Sequence, residues 1–353
     1  TASHNPPQYN GIKFCRTNAI PINDETGLRK IKSIVEKTQY GNKTIKKNGR
    51  IIKKDLLKDY VKHVKKFIDV NKLRKLKIAV DAGNGMEGKM IPLAYKNLPV
   101  KIVPLYFKLD GTFPNHPADP SKYENLAELQ KKVKQKNCDF GMGFDGDADR
   151  IFFADENGNI INSSLISALI IKNLLQKKRK EKIIYNIVCS QIVPETIKKY
   201  SGTPIVERVG HSFIKETMRK TKALFACEHS AHYYFRDNYR ADSGIIASLI
   251  VAEIASKENK PISELLDEFR KYFTIEETSV EVEDKTGKLN EIEAIYKKQN
   301  PKKISKLDFP HAIDMEIIQK YCLDKQKVRD AIDWFETLLY KTGEMSKEDR
   351  KKK

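Results

Sequence analysis

Three aspartates spaced two residues apart inside an apolar stretch place the tightest constraint on this chain. Residues Phe144 to Arg150 read Phe-Asp-Gly-Asp-Ala-Asp-Arg, with the apolar runs Cys138 to Phe144 before them and Ile151 to Ala154 after. Such flanks build buried strands, so the acids are carried to the edge of a core and not onto the solvated acidic turn that a lone D-x-D-x-D would suggest. In an extended backbone Asp145, Asp147 and Asp149 point to one side, and Gly146 lets the chain bend around a small ion. Without a counter-ion the cluster repels itself. A hard, oxygen-seeking cation such as Mg²⁺ removes that repulsion, and three carboxylates leave coordination positions for water or a phosphate oxygen. Arg150 suits a place beside an anionic ligand, where its planar fork of donors grips phosphate.

A helix-loop-helix calcium site is the rival reading, because Asp145, Asp147, Asp149 and Glu156 stand at its first, third, fifth and twelfth positions. Its sixth position needs glycine for a sharp turn and here holds Arg150, and its flanks should be helices. Both features count against it.

The formal charge of +19 over 353 residues calls for anionic partners. The lysines are spread through helical stretches such as 172–182 and 297–306 with no nucleic-acid-binding motif. A solvated lysine-rich surface therefore fits better than a DNA or RNA groove, and a basic nucleic-acid binder is the less favoured class. Phosphorylated metabolites also gain from a positive field. The cysteines Cys15, Cys138, Cys189, Cys227 and Cys322 are odd in number and form no C-x-x-C pair, which argues against a disulfide framework or a zinc site. A soluble protein of the reducing cytoplasm is expected. No signal peptide or membrane-spanning run is visible, since 165–175 is broken by Lys172 and Asn173. The chain begins at Thr1 without Met, so residues upstream are expected to have been lost, removed or left out.

The chemistry starts at once. Residues 1–14 read Thr-Ala-Ser-His-Asn-Pro-Pro-Gln-Tyr-Asn-Gly-Ile-Lys-Phe. A frayed polar terminus closed by a Pro-Pro turn is the simple reading. The functional one is a loop presenting Ser3 as a nucleophile or phosphate carrier, with His4 and Lys13 to compensate charge. A serine hydroxyl needs a base or a metal beside it, and the aspartate turn could supply the metal.

This pair of motifs resembles the α-D-phosphohexomutase family of phosphomannomutases and phosphoglucomutases. The resemblance implies that Ser3 carries a phosphoryl group, that Mg²⁺ is held against it by Ser3, Asp145, Asp147 and Asp149, and that His4, Lys13 and Arg150 work beside it. Two later stretches extend the likeness. Val209 to Lys215 is similar to a substrate-facing loop of the family and would bring Lys215 to the phosphosugar. Leu224 to Phe235 is similar to its sugar-recognition loop, looking most like the phosphomannomutase/phosphoglucomutase branch. There Glu228, Ser230 and His232 alternate, so an extended segment would direct a carboxylate, a hydroxyl and an imidazole the same way, a set suited to sugar hydroxyls.

Periodicity gives the framework. Residues 27–37 read as a charged helix, and 55–68 as an amphipathic helix entering a new domain. Strand 78–82, helix to Tyr95 and strand 100–107 open a β-α-β unit, followed by a rigid loop, 113–120, whose His116 is left without a role, and a helix over 125–136. Gly83-Asn-Gly85 reads as a plain turn. A hairpin turn at 155–158 precedes helix 163–176, strand 183–189, helix 194–200, strand 205–209, a helix after Gly210, and helices 245–256 and 262–272. The fold class is α/β: tandem three-layer domains with mixed sheets, a partial first domain over 1–54, a second over 55–157, a third over 158–275, and a short α+β segment over 276–353.

The resemblance covers 1 to about 285, including a strand at 278–282. The stretch before the serine loop is shorter than in the family. The Arg-x-Ser-Asn-Thr loop that anchors the non-reacting phosphate is missing from 286–353, where Val328, Ala331, Ile332, Phe335, Leu338 and Leu339 line one face of a helix before a charged tail. The function implied is interconversion of hexose 1-phosphate and hexose 6-phosphate, of mannose or glucose, through a phosphoserine. Mg²⁺ is the implied cofactor, and glucose or mannose 1,6-bisphosphate the implied activator. Phosphoglucosamine mutase and a weakly active or non-catalytic phosphosugar-binding remnant are the alternatives. Oligomeric state is left open.

Overall fold

The computed structural model describes residues 3, 5, 8–37, 50–272 and 287. The expected strand at 278–282, the helix at 328–339, the charged tail and the stretch searched for an anchoring loop lie outside the described residues, as does His4. The first segment holds a small hairpin, β1 (Cys15–Arg16) with β2 (Ile20–Pro21), and the helix α1 (Arg29–Lys37).

Helix α2 (Leu57–Val64) begins where the Asp55 carboxylate accepts from the Leu57 amide. It gives way to a 3₁₀ turn, Lys65–Phe67, so it is shorter than its apolar stripe predicts. The sheet that follows has the order β4-β3-β5-β6-β7, from β3 (Leu76–Asp81), β4 (Val100–Leu105), β5 (Phe140–Phe144), β6 (Ile151–Ala154) and β7 (Ile160–Ile161). Strands β4, β3 and β5 run parallel, linked through α3 (Glu87–Ala94) and α4 (Ala127–Lys136); β6 and β7 are antiparallel. Strand β4 ends early because Tyr106 takes a left-handed φ of 55°.

Alternation along β5 assigns its faces. A Cβ on Gly141 would lie 2.7 Å from Val133, and one on Gly143 2.5 Å from Leu126, so these glycines let α4 lie close on one face. Phe144 points the other way, toward the start of α8 (Gly244–Glu258).

The second sheet has the order β9-β8-β10-β11, from β8 (Lys182–Asn186), β9 (Thr203–Glu207), β10 (Phe225–Cys227) and β11 (Tyr233–Phe235), with only β11 antiparallel. Helix α5 (Ser163–Lys177) leads into it, α6 (Ile192–Lys199) joins β8 to β9, and α7 (His211–Thr221) joins β9 to β10. Again the period of two decides the layers. Ile184, Ala226 and Tyr234 meet Ile214 and Met218 of α7, whereas Ile183, Phe225 and Tyr233 join the main core with α5 and α6. Helix α8 is apolar all round and buried along its length, as a helix between other elements must be. Helix α9 (Ile262–Leu266) passes into a 3₁₀ turn, Asp267–Phe269, short of its expected end at 272. The architecture is thus α/β, with mixed sheets in tandem units. Among the described residues no helix is long and apolar enough to cross a membrane.

Gly141→Ala should overpack the seam between β5 and α4, because Val133 is β-branched and fully buried. A loss of about 1–3 kcal/mol is expected in urea unfolding. An unchanged midpoint would show that α4 lies farther off.

Candidate functional site

The acid run is a turn and not the extended segment its alternation suggested. Strand β5 ends at Phe144, the Ala148 amide donates back to the Asp145 carbonyl at 3.3 Å, and Ala148 takes a left-handed φ of 64°. This curl makes the carboxylates converge. One oxygen from each of Asp145, Asp147 and Asp149 lies within 4.8 Å of the others. The turn is clamped from below, where the Met86 amide donates to the Gly146 carbonyl at 3.1 Å. The start of α8 caps it, the Gly244 amide donating to the Ala148 carbonyl at 3.1 Å, which sets the positive end of a long helix against the acids.

Ser3 comes to this turn from the far end of the sequence. Its Oγ donates to Asp145 Oδ2 at 2.9 Å, and its carbonyl accepts from the Gly146 amide at 3.2 Å. Lys13 Nζ lies 2.8 Å from Asp149 Oδ2, and Arg150 Nε 3.8 Å from Asp145 Oδ2.

The sugar-recognition stretch is also a turn, with β10 and β11 on either side. The Glu228 amide donates to the His232 carbonyl at 3.0 Å and the Ala231 amide to the Glu228 carbonyl at 3.1 Å, so Glu228, Ser230 and His232 meet around a bend, not along one strand face. Glu228 is buried and oriented by three donors: the Tyr234 hydroxyl, Asn186 Nδ2 at 3.4 Å and the Gly210 amide at 3.4 Å. Ser230 Oγ is 2.8 Å from His232 Nδ1. The two turns are joined by a β-bridge between Arg150 and His232, and His232 Nε2 reaches Asp149 Oδ1 at 3.4 Å. Lys215 Nζ lies 2.8 Å from Asp242 Oδ1. The structure thereby brings Ser3, Lys13, Arg150, the three aspartates and His232 together, with Glu228 and Ser230 beside His232.

Electrostatics follow from burial. Asp145 is pushed up to about 7 by burial and then by Asp149 and Asp147, against the pull of Arg150 and the Ser3 hydroxyl. Burial also raises Asp149, but His232 and Lys13 outweigh it and hold that carboxyl below the usual range. Burial lowers His232, and the opposing acids Asp149 and Glu228 leave it raised. Sequence reasoning missed His211, Asp242, Asn186, Tyr234 and Glu87. His211 opens α7 with its Nδ1 buried and without a hydrogen-bond partner among the described residues, and burial with the charges of Lys215 and Lys13 lowers its pKa. Nothing in the local pattern marks the others, because their roles depend on contacts across the two sheets. A cleft of about 700 Å³ beside the turn is lined by Tyr60, Glu87, Asp147, Asp149 and Asp242 among others.

The donor set fits a hard divalent cation: three carboxylates with oxygens in mutual reach, and a hydroxyl bonded to one of them. Asp149, His232 and Asp242 form a second close group, yet Lys13 and Lys215 already neutralise its carboxylates. The first group is the better cation site.

Comparison with known proteins accords with this geometry. Family models of phosphoglucomutase/phosphomannomutase α/β/α domains I, II and III match residues 1–42, 58–158 and 162–272. The phosphohexose mutases protein of Xanthomonas campestris is 34% identical over 322 residues, which cover 90% of this chain and 70% of that protein. The phosphomannomutase of Vibrio cholerae is 38% identical over 261 residues, 72% of this chain and 56% of its own length. A crystal structure of a phosphoglucomutase/phosphomannomutase family protein from Burkholderia thailandensis superposes with a TM-score of 0.73 at 29% identity, over 87% of this chain and 65% of that one. The chain belongs to the phosphoglucomutase/phosphomannomutase branch of the α-D-phosphohexomutase family. It spans a little over half the length of the Vibrio relative.

Asp147→Asn removes one of three charged oxygen ligands. Mg²⁺ affinity measured by calorimetry should fall by more than the roughly 10–100-fold typical of partners outside the ligand shell. Unchanged binding would place the cation elsewhere.

Proposed function

We propose that this chain interconverts hexose 1-phosphate and hexose 6-phosphate, of mannose or glucose, by way of a phosphorylated Ser3 and a 1,6-bisphosphate. The observation that carries this reading is the meeting of Ser3 Oγ, at 2.9 Å from Asp145, with an aspartate turn paired by a β-bridge to the Glu228–His232 bend. A hydroxyl held against a cation site, with a patch of mixed donors and acceptors beside it, is the arrangement a phosphosugar requires.

In this reading Mg²⁺, held by Asp145, Asp147, Asp149 and Ser3, disperses charge on the transferring phosphoryl group when bound. Phospho-Ser3 gives its phosphoryl group to the free sugar hydroxyl, and the Oγ–P bond breaks as the sugar O–P bond forms. After the sugar turns over, its other phosphate returns to Ser3 Oγ. Lys13 and Arg150 stand where negative charge builds, and Lys215 meets the phosphosugar. Glu228, fixed by Tyr234 and Asn186, accepts from ring hydroxyls, and Ser230 can donate or accept. His232 is positioned to exchange a proton with the reacting hydroxyl. Mixed donors and acceptors can serve both sugar orientations, and this leaves selectivity at carbon 2 weak. Free thiols at Cys15, Cys138, Cys189 and Cys227 support residence in a reducing compartment. Two separate sheets support domain limits at 55–157 and 158–275, with 1–54 as part of a first domain.

Ser3→Ala should abolish both phosphate incorporation and turnover. The checks are intact-mass and peptide-mapping spectrometry, and a coupled assay on mannose, glucose and glucosamine 1-phosphates with trace glucose 1,6-bisphosphate. Phosphate on another residue, or full rate in the alanine variant, would overturn the proposal.

A further inference from the structure

His116, without a role in its loop context, sits in a made site. Its Nε2 faces both carboxylate oxygens of Asp81, at 3.2 and 3.1 Å, and its Nδ1 lies 2.8 Å from the Pro117 carbonyl. A carbonyl and a carboxylate can only accept, so both ring nitrogens must donate, and the geometry defines an imidazolium paired with an ionised Asp81. Asp81 ends β3 and is 1% exposed. Its remaining contact is the Gly83 amide, which donates to Oδ1 at 2.8 Å. The titratable groups against the ring are Asp81 and Tyr106, whose ring stands edge-on at 5.3 Å.

This ion pair joins the two loops on which the aspartate turn rests. From one side, residues 82–86 reach the turn through the Met86 amide on the Gly146 carbonyl, with Gly85 so close that a Cβ there would lie 2.7 Å from that oxygen. From the other side, the Phe113 ring lies 3.5 Å from where a Cβ on Gly146 would stand. Asn115 Nδ2 adds a 2.7 Å bond to Asn84 Oδ1 between the same loops. We propose that His116 is a positioning residue for the cation site: its charged ring locks the 113–117 loop to the end of β3, and through Phe113 and Gly85 fixes the curl of residues 145–149. It touches neither cation nor sugar.

The charge dependence has a definite sign. Burial lowers the His116 pKa, but the Asp81 hydrogen bond and charge and the Pro117 carbonyl outweigh it, leaving the ring above its ordinary 6.5. A base whose pKa is raised on folding contributes fully below its unfolded value and loses that contribution as pH rises through the folded one. The lock is therefore complete below about pH 6.5 and opens on the alkaline side.

The test uses the full chain and Mn²⁺ as probe, read by electron paramagnetic resonance. The ratio of dissociation constants, His116→Gln over wild type, should be about tenfold at pH 6.5 and fall toward one as the pH is raised. Taking the ratio removes titrations that both proteins share, such as that of Asp145. A ratio of one throughout, or a raised ratio independent of pH, overturns the proposal. If the variant does not fold, ¹⁵N spectra of the wild type decide: both His116 nitrogens protonated at pH 7 supports the lock, a neutral ring refutes it. The inference rests on the assignment of the cation to the aspartate turn and not on turnover. A chain that shows the pH-dependent ratio but does not convert mannose 1-phosphate would fail the functional reading alone; one that binds no Mn²⁺ would fail both.

Discussion

Everything about the site depends on keeping three carboxylates together where like charges repel and burial penalises each of them. Asp145 is wholly buried, and burial together with the charges of Asp149 and Asp147 pushes its carboxyl up to about 7. Its neighbours resolve the conflict by assembling positive charge from four parts of the chain. Lys13 arrives from the first segment, Arg150 from the edge of β6, His232 from the second sheet, and the first amides of α8 from beneath. Apart from Arg150, none of them is close in sequence to the acids. The turn thereby becomes the place where the tertiary structure converges, because its charge can be tolerated only where these elements meet.

The same requirement couples the two α/β units. Helix α8 is buried along its length and offers its N-terminus to the aspartate turn, while Ser243 caps it by accepting from the Ile246 amide. Beside it Glu253, 1% exposed, accepts from the Asp69 amide at 2.9 Å and pairs with Lys177 at 2.6 Å. Truncating a buried acid so held would leave its partners stranded, a cost of several kcal/mol by order of magnitude. The β-bridge from Arg150 to His232 then sets the Glu228–His232 bend against the aspartate turn with backbone bonds, which resist displacement better than side chains do.

Those parts of the fold that rest on local alternation were legible in the sequence. Ile78, Ala79 and Val80 announce a strand buried on both faces, and 245–256 a helix without a polar side. That Ser3 and the three aspartates meet was legible too, from the pairing of the two motifs. Its geometry was not. Alternate spacing suggested extended backbone at 145–149 and 228–232, but both are bends, governed by left-handed residues at Ala148 and Ala231 that no composition rule forces. Asp81 looked like the end of a strand and His116 like a loop histidine between prolines. Their pairing depends on Tyr106 breaking β4 and turning the chain back, a tertiary event without a periodic signature. Helices ended early at Val64 and Leu266 for a related reason: the apolar stripe continues, but tertiary contacts tighten the last turn into 3₁₀ form.

Glu87 shows how far the acidic character of the site extends. It opens α3, is 1% exposed, and neither side-chain oxygen has a hydrogen-bond partner among the described residues. Burial, with Asp145 and Asp147 adding to it, pushes it up to about 8, so it holds its proton at neutral pH. The helix N-terminus would favour a charged carboxylate, but desolvation wins. The aspartate turn and Glu87 thus concentrate carboxyl groups in one place within a chain whose net charge is +19. Two unit charges of like sign 4 Å apart repel by about 4 kcal/mol at an effective dielectric of 20. If the turn holds a divalent cation, as proposed, that cation offsets the repulsion a phosphorylated ligand would meet there. By linkage the cation must bind more tightly when the phosphate is present, by the same factor.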